Sequence, residues 1–215
     1  MQQPASTGLS DGVKKPDRKG RLLQVACEHF LLHGYNGTSL DAIIAETGGS
    51  KSTLYRHFTN KEGLFSDVVA HLCAEFLAKL QSIEVKGTSL ELGLRAILME
   101  LVNVITSPRH VSFYRLVIAG SAQFPEAGRA WYENGPLVSQ GVILRLLDEL
   151  EEQGKIGASF NKPVIASILF DSLLSNLTTQ VVILGKVADK AVVNAMVEEL
   201  ITIIREHIAA LASQP

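Results

Sequence analysis

Apolar residues recur every three to four positions along almost the entire chain, the spacing that gives a helix one buried face. Leu23, Ala26, Cys27, Phe30 and Leu31 mark a first helix, which Gly34 ends. Thr38 or Ser39 can cap a second, with Leu40, Ile43 and Ile44 on its inner side. Gly48-Gly49 supplies a sharp turn, after which Ser50 caps a third helix running to about Phe58, with Leu54 and Phe58 inward. Asn60 caps a long fourth helix with Glu62 in its first turn, where a negative charge suits the helix dipole. Its stripe is Leu64, Phe65, Val68, Val69, Leu72, Cys73, Phe76, Leu77 and Leu80.

The same periodicity predicts helices near 88–106, 109–121, 125–153, 161–184 and 189–212. They are separated by Gly87, Ser107-Pro108, Phe124-Pro125, Gly154 to Gly157 with Pro163, and Gly185. Short β-branched runs such as Val181-Val182-Ile183 lie inside longer helical patterns. The expected fold is therefore all-α, with about nine helices and no internal repeat.

Two of these helices carry more apolar residues than one face can hold. Residues 163–184 include Ile165, Ile168, Leu169, Phe170, Leu173, Leu174, Leu177 and Val181, and residues 191–211 include Val193, Val197, Leu200, Ile201, Ile203, Ile204 and Ile208. A helix apolar on two sides is central or is covered by a partner. Chain-terminal helices are seldom central, so a homodimer through the helices near 161–184 and 189–212 is expected. A membrane span is not: Asp171, Asn176, Thr178, Thr179 and Gln180 interrupt the longest apolar stretch.

Composition adds bounds rather than identity. With 215 residues, 47% hydrophobic and 20% charged, the chain can bury a core as one large domain or as a small domain joined to a larger one. Cys27 and Cys73 sit within apolar patterns without metal spacing and read as reduced core thiols, with a redox role as the other reading. Residues 1–11 show no secretory signal, so a cytoplasmic location is expected. Residues 1–16 read as a disordered tail leading into a basic run of Lys14, Lys15, Arg18, Lys19 and Arg21, either a solvated segment or an arm on DNA backbone. The net charge is −2, yet it is unevenly spread. Through Lys61 there are eight Lys/Arg and five Asp/Glu, and beyond it twelve and seventeen. A basic head on an acidic body suits local contact with DNA.

The head holds the chemistry. Two short helices joined by Gly48-Gly49 form a helix-turn-helix pattern, whose second helix can expose its first turn to base edges. Ser50, Lys51, Ser52, Thr53, Tyr55, Arg56 and His57 fall on or near its outer face. Lys51 can donate to guanine, and Ser52 and Thr53 can meet base edges or a thymine methyl. Tyr55, His57 and Lys61 are placed for phosphate, as are Thr38 and Ser39 at the start of the preceding helix. The plain alternative is a helical hairpin with a polar face; the mixture of aromatic, hydroxyl and basic groups favours DNA.

Residues 21–65 resemble the DNA-binding domain of the TetR family of bacterial transcriptional regulators. The matching residues are Ala26 to Phe30, Gly34-Tyr35-Asn36-Gly37-Thr38-Ser39, Ile43 to Ala45, Gly49-Ser50-Lys51-Ser52-Thr53-Leu54-Tyr55-Arg56-His57-Phe58 and Lys61-Glu62-Gly63-Leu64-Phe65. The resemblance implies Thr38, Lys51, Thr53, Tyr55, His57 and Lys61 as DNA contacts, and a share in operator choice for Arg56. Gly48 departs from the larger residue often found there; a looser turn that softens binding is the expected consequence. Arg115-Leu116-Val117-Ile118-Ala119, Phe124-Pro125-Glu126 and Trp131-Tyr132-Glu133-Asn134-Gly135-Pro136 resemble the subgroup with an AefR-like C-terminal domain. The implied division is a DNA-binding domain over 17–62 and a ligand-binding and dimerisation domain over 63–215.

Candidate ligand contacts in that body are Phe76, Met99, Phe113, Tyr114, Trp131, Asp171, Asn176 and Gln180. Asp171 stands out as a carboxylate in an apolar helix; it can pair with an arginine such as Arg115, lie on the dimer surface, or meet a cationic ligand. His29 and His33 have an i, i+4 spacing but no third ligand, so no metal and no cofactor is expected. No nucleophile elbow, phosphate loop, dinucleotide fingerprint or zinc motif appears, which leaves an all-α enzyme the least favoured class. The expected function is a dimeric repressor released from a palindromic operator by a small molecule. The alternative is a DNA-binding regulator or architectural protein with no small-molecule input. A body cavity of about 300 Å³ or more separates the two.

Overall fold

A computed structural model describes residues 18–157 and 160–212, and every regular element among them is helical. The head comprises α1 (Arg18–Gly37), α2 (Leu40–Thr47) and α3 (Lys51–His57). The body comprises α4 (Lys61–Gln81), α5 (Leu90–Thr106), α6 (Pro108–Ser121), α7 (Pro125–Asn134), α8 (Pro136–Glu152), α9 (Lys162–Leu177) and α10 (Lys190–Ala212). The tail over 1–16, with Lys14 and Lys15, lies outside the described residues.

Most starts are set by side chains that accept the first free amides. Ser39, Ser50, Asn60, Ser89, Ser107 and Asn161 accept from the N–H groups of Ala42, Thr53, Gly63, Leu92, His110 and Val164. Proline stands in the first two positions of α6, α7, α8 and α9, where its missing N–H costs nothing.

Two boundaries differ from the sequence expectation. The segment 125–153 is two helices, because Pro136 cannot donate within a continuous helix and its ring clashes with the preceding turn. The segment 161–184 is α9 followed by a π-helical turn over Thr178–Ile183, one residue wider per turn.

Two hydrophobic cores result. One joins Leu22, Phe30, Ile43, Leu54 and Phe58 of the head to Phe65 and Val69 of α4 and to Phe113, Leu116 and Phe124 from the α6–α7 region. The other gathers α5, α8, α9 and α10 around Leu77 and Leu80 at the far end of α4. α4 thus belongs to both cores, a rigid rod some 21 residues long between head and body. Arg109 at the start of α6 adds an ionic tie: its Nη2 lies 2.8 Å from Glu28 of α1 and its Nε 3.1 Å from Glu75 of α4.

α9 buries Ile165, Leu169, Phe170 and Leu173 but leaves Val164 and Ile168 about half exposed. α10 buries Val193, Val197, Ile201 and Ile204 and leaves Val192 and Ile203 exposed. Lys162–Ile183 is the one stretch among the described residues long and apolar enough to cross a membrane by length and composition, and 44% of its most apolar window is buried in the fold.

Candidate nucleic-acid interface and the cavities behind it

The reading head is built by the break in α1. At Gly34 the backbone turns through φ +68°, ψ 179°, and Thr38 closes the corner by donating to Gly34 O at 2.7 Å and His29 O at 3.1 Å. Thr38 is buried, and its hydroxyl splices α1 to α2. Ser39, exposed beside it, is the cap.

Gly48 forms the turn between α2 and α3. It sits in the left-handed region at φ +67°, ψ 72°, where a side chain is strained. Its N–H and that of Gly49 both donate to Ile44 O, at 3.0 and 3.3 Å, and its own carbonyl accepts from Arg18 Nη2 at 2.8 Å. The turn is thus hydrogen-bonded on both sides.

On α3, Ser50 Oγ lies 2.8 Å from Ser52 Oγ and 3.1 Å from Thr53 Oγ1, a small hydroxyl cluster at the first turn. Ser50, Lys51, Ser52, Tyr55 and Arg56 are exposed and Thr53 is half-buried. Lys51 Nζ sits 2.9 Å from Asp41 Oδ1, and this contact raises its pKa, through the hydrogen bond first and the charge second. Asp41 is a participant the residue pattern missed, since the pairing crosses the turn between α2 and α3.

His57 is half-buried, with Nε2 shielded and without a partner. Lys61 Nζ lies over the Tyr35 ring at 4.6 Å from its centroid, and partial burial lowers its pKa. Of the basic run, Arg18 braces the turn, and Lys19 lies 3.6 Å from Asp67 and over the Phe58 ring. His29 is paired with Glu46 at 2.9 Å, and among the described residues no group of three His, Cys, Asp or Glu could hold a metal.

The body's candidates separate into distinct places. Phe76, Phe113, Tyr114 and Trp131 surround one cavity of about 30 Å³, room for little more than a water molecule. Met99 lines a groove of about 750 Å³ between α5, α6 and the start of α10. Asn176 and Gln180 line an adjoining pocket of about 250 Å³. Asp171 lines none of these; it is exposed on α9 and accepts from Ser167 Oγ at 3.0 Å. Arg115 is not its partner. The π-helical turn presents Val182 O to Arg115, which donates from Nε at 3.2 Å and Nη2 at 2.8 Å.

The small cavity contains a residue that patterning did not single out. His110 is 9% exposed, rings of Phe76, Phe113 and Tyr114 pack on it at 5.1, 5.8 and 6.1 Å, and its Nδ1 has no hydrogen-bond partner. Burial pushes its pKa down to about 4 from 6.5. The stability of the neutral ring is complete above about 6.5 and is lost as pH falls toward 4. The urea midpoint therefore drops across that window, and drops less in His110→Phe. An identical drop in the variant would assign the acid sensitivity elsewhere. Cys27 and Cys73 are also buried, and burial pushes both thiols up to about 12, with Glu75 adding to the rise at Cys27. Such thiols hold their protons and act as core residues.

Residues 22–68 match the family model described as bacterial regulatory proteins, tetR family, and residues 92–209, more than half of the chain, match the AefR-like transcriptional repressor C-terminal domain. The chain belongs to the TetR family of transcriptional regulators. Within that family it is 35% identical over 99 residues to the HTH-type transcriptional repressor ComR of Escherichia coli, covering 46% of this chain and 47% of ComR. It is 41% identical over 51 residues to the HTH-type transcriptional regulator QacR of Staphylococcus aureus, covering 24% of this chain and 27% of QacR. The chain thus spans about half or less of the length of these relatives. A crystal structure of a TetR-family regulator from Mesorhizobium loti superimposes with a TM-score of 0.76 at 28% identity, covering 86% of this chain and 96% of the other. The two matched segments run from α1 into the first turns of α4, and from α5 into α10.

Proposed function

We propose that the chain acts in the cytoplasm as a dimeric repressor that holds a dyad-symmetric operator until a small molecule releases it. The observation that supports this most is α4. It is shared by both hydrophobic cores, so a change in body packing displaces the exposed face of α3. The half-exposed stripes Val164–Ile168 and Val192–Ile203 favour pairing through α9 and α10. Twofold pairing sets the spacing of two heads, and a ligand that binds one spacing better than the other shifts the equilibrium. The 750 Å³ groove favours a sensor over a regulator with no small-molecule input. No step of this reading is enzymatic.

Fluorescence anisotropy on the DNA upstream of its own gene, against scrambled DNA at several salt concentrations, tests the reading. Binding with no preference for the upstream sequence would remove it. Within that assay, Lys51→Ala loses about 1–3 kcal/mol of discrimination, because a base-edge donor goes. Lys61→Ala weakens binding to every sequence and flattens the salt slope by about 1, the loss of one phosphate contact. Equal salt slopes for Lys61→Ala and the parent would take Lys61 out of the interface and leave it as a brace on Tyr35.

A further inference from the structure

The geometry points to the groove between α5, α6 and α10 as a binding site for an amphipathic anion, a carboxylate or phosphate head on an aliphatic tail. Resting on the ligand-responsive reading above, this names the ligand class and moves the site away from the aromatic cavity.

The groove is cationic. Three cations line the groove, Arg115 from α6, Lys186 from the loop after the π-helical turn, and Lys190 at the start of α10; no aspartate or glutamate lines it. That is unusual in a chain with 22 acidic and 20 basic residues. Among the described residues none of the three has a carboxylate partner. The neighbouring carboxylate, Asp189, caps α10 by accepting from the N–H groups of Ala191 and Val192 at 2.8 and 3.3 Å. Two bonds to Val182 O fix the Arg115 guanidinium and leave Nη1 unengaged, so this donor is oriented before a ligand arrives.

The remaining wall selects the tail. Met99, Val102, Val111, Val181 and Val193 give an apolar strip beside the polar Asn103, Thr106, Ser112 and Asn194, and no aromatic residue lines the groove. Its volume of about 750 Å³ lies within the usual range of ligand pockets, whereas the aromatic cavity of about 30 Å³ holds no organic ligand as it stands.

Position supplies a route to the head. Ser112 and Arg115 line this groove and also a second one of about 460 Å³, walled by Phe30, Leu31 and Tyr35 of α1. An anion held by Arg115 Nη1 acts on α6, which packs on α1.

Calorimetry on the full chain without DNA, using decanoate, decanol and decylamine as probes, tests the site. Decanoate binds at least about tenfold more tightly than decanol, the value of one charge-assisted contact. Lys186→Glu/Lys190→Glu changes only exposed side chains; it weakens decanoate by about tenfold or more and favours decylamine instead. Decanoate binding no tighter than decanol, no binding of either, or unchanged decanoate binding in the charge-reversed variant would each overturn the proposal. Adding decanoate to the protein–DNA complex is a separate readout. Decanoate bound without release of DNA leaves the site standing and removes the release reading.

Discussion

Phe65→Ala lowers the free energy of unfolding by about 3–5 kcal/mol, the range for truncating a fully buried aromatic that its neighbours cannot replace. Phe65 has no exposed surface and lies where α4 meets both head and body. Its ring centroid is 5.2 Å from Phe30, 5.2 Å from Tyr35 and 6.0 Å from Phe124. A Cβ placed on Gly120 of α6 would come within 3.0 Å of the ring, so α6 approaches as closely as glycine permits. Removing the ring opens a void bounded by α1, α4 and α6, and the seam proposed to transmit motion loosens. Operator affinity therefore falls more than in Phe65→Leu, which keeps most of the volume and costs about 1.5 kcal/mol or less. Urea titrations of the two variants decide the matter; a loss below about 1 kcal/mol for the alanine would show that this seam is not the join between head and body.

Ile203→Asp has its largest effect on assembly. Ile203 is 51% exposed in the single chain, so the folded subunit tolerates the change at close to no cost, within about 0.5 kcal/mol. In the proposed interface the same carboxylate is desolvated twice, once from each subunit, with no cation supplied. The variant sediments as a monomer, and its operator affinity falls by about 10²–10⁴-fold as the two heads lose their linkage. A dimeric Ile203→Asp protein with parental affinity would exclude this face of α10 from the interface.

Much of the head was legible because its determinants are local. Ser50 and Asn60 announce their helices by bonding to amides three residues on, and Leu54 and Phe58 lie inward at helical spacing. What escaped depends on neighbours distant in sequence. Thr38 is buried at the break at Gly34, where its hydroxyl ties α1 to α2, a role its residue type does not record. Asp41 meets Lys51 only after the turn folds α2 against α3.

In the body, periodicity found the helices but not their interruptions. Pro136 was visible, yet an apolar repeat ran through it; the π-helical turn over Thr178–Ile183 leaves no mark in spacing at all. That turn is why Arg115 meets Val182 O and not Asp171. The aromatic ligand candidates did converge, around a cavity of about 30 Å³. The cationic groove was missed because Arg115, Lys186 and Lys190 come from three separate elements whose juxtaposition no local pattern records.

Hydroxyl-radical footprinting of the upstream DNA, with the number of chains per duplex measured on the same complex, tests the paired reading head most directly. Two chains bind each site and protect two patches related by a dyad, their centres one helical turn or a whole multiple apart. One chain per site with a single asymmetric patch, or protection spread evenly along the duplex, would contradict it.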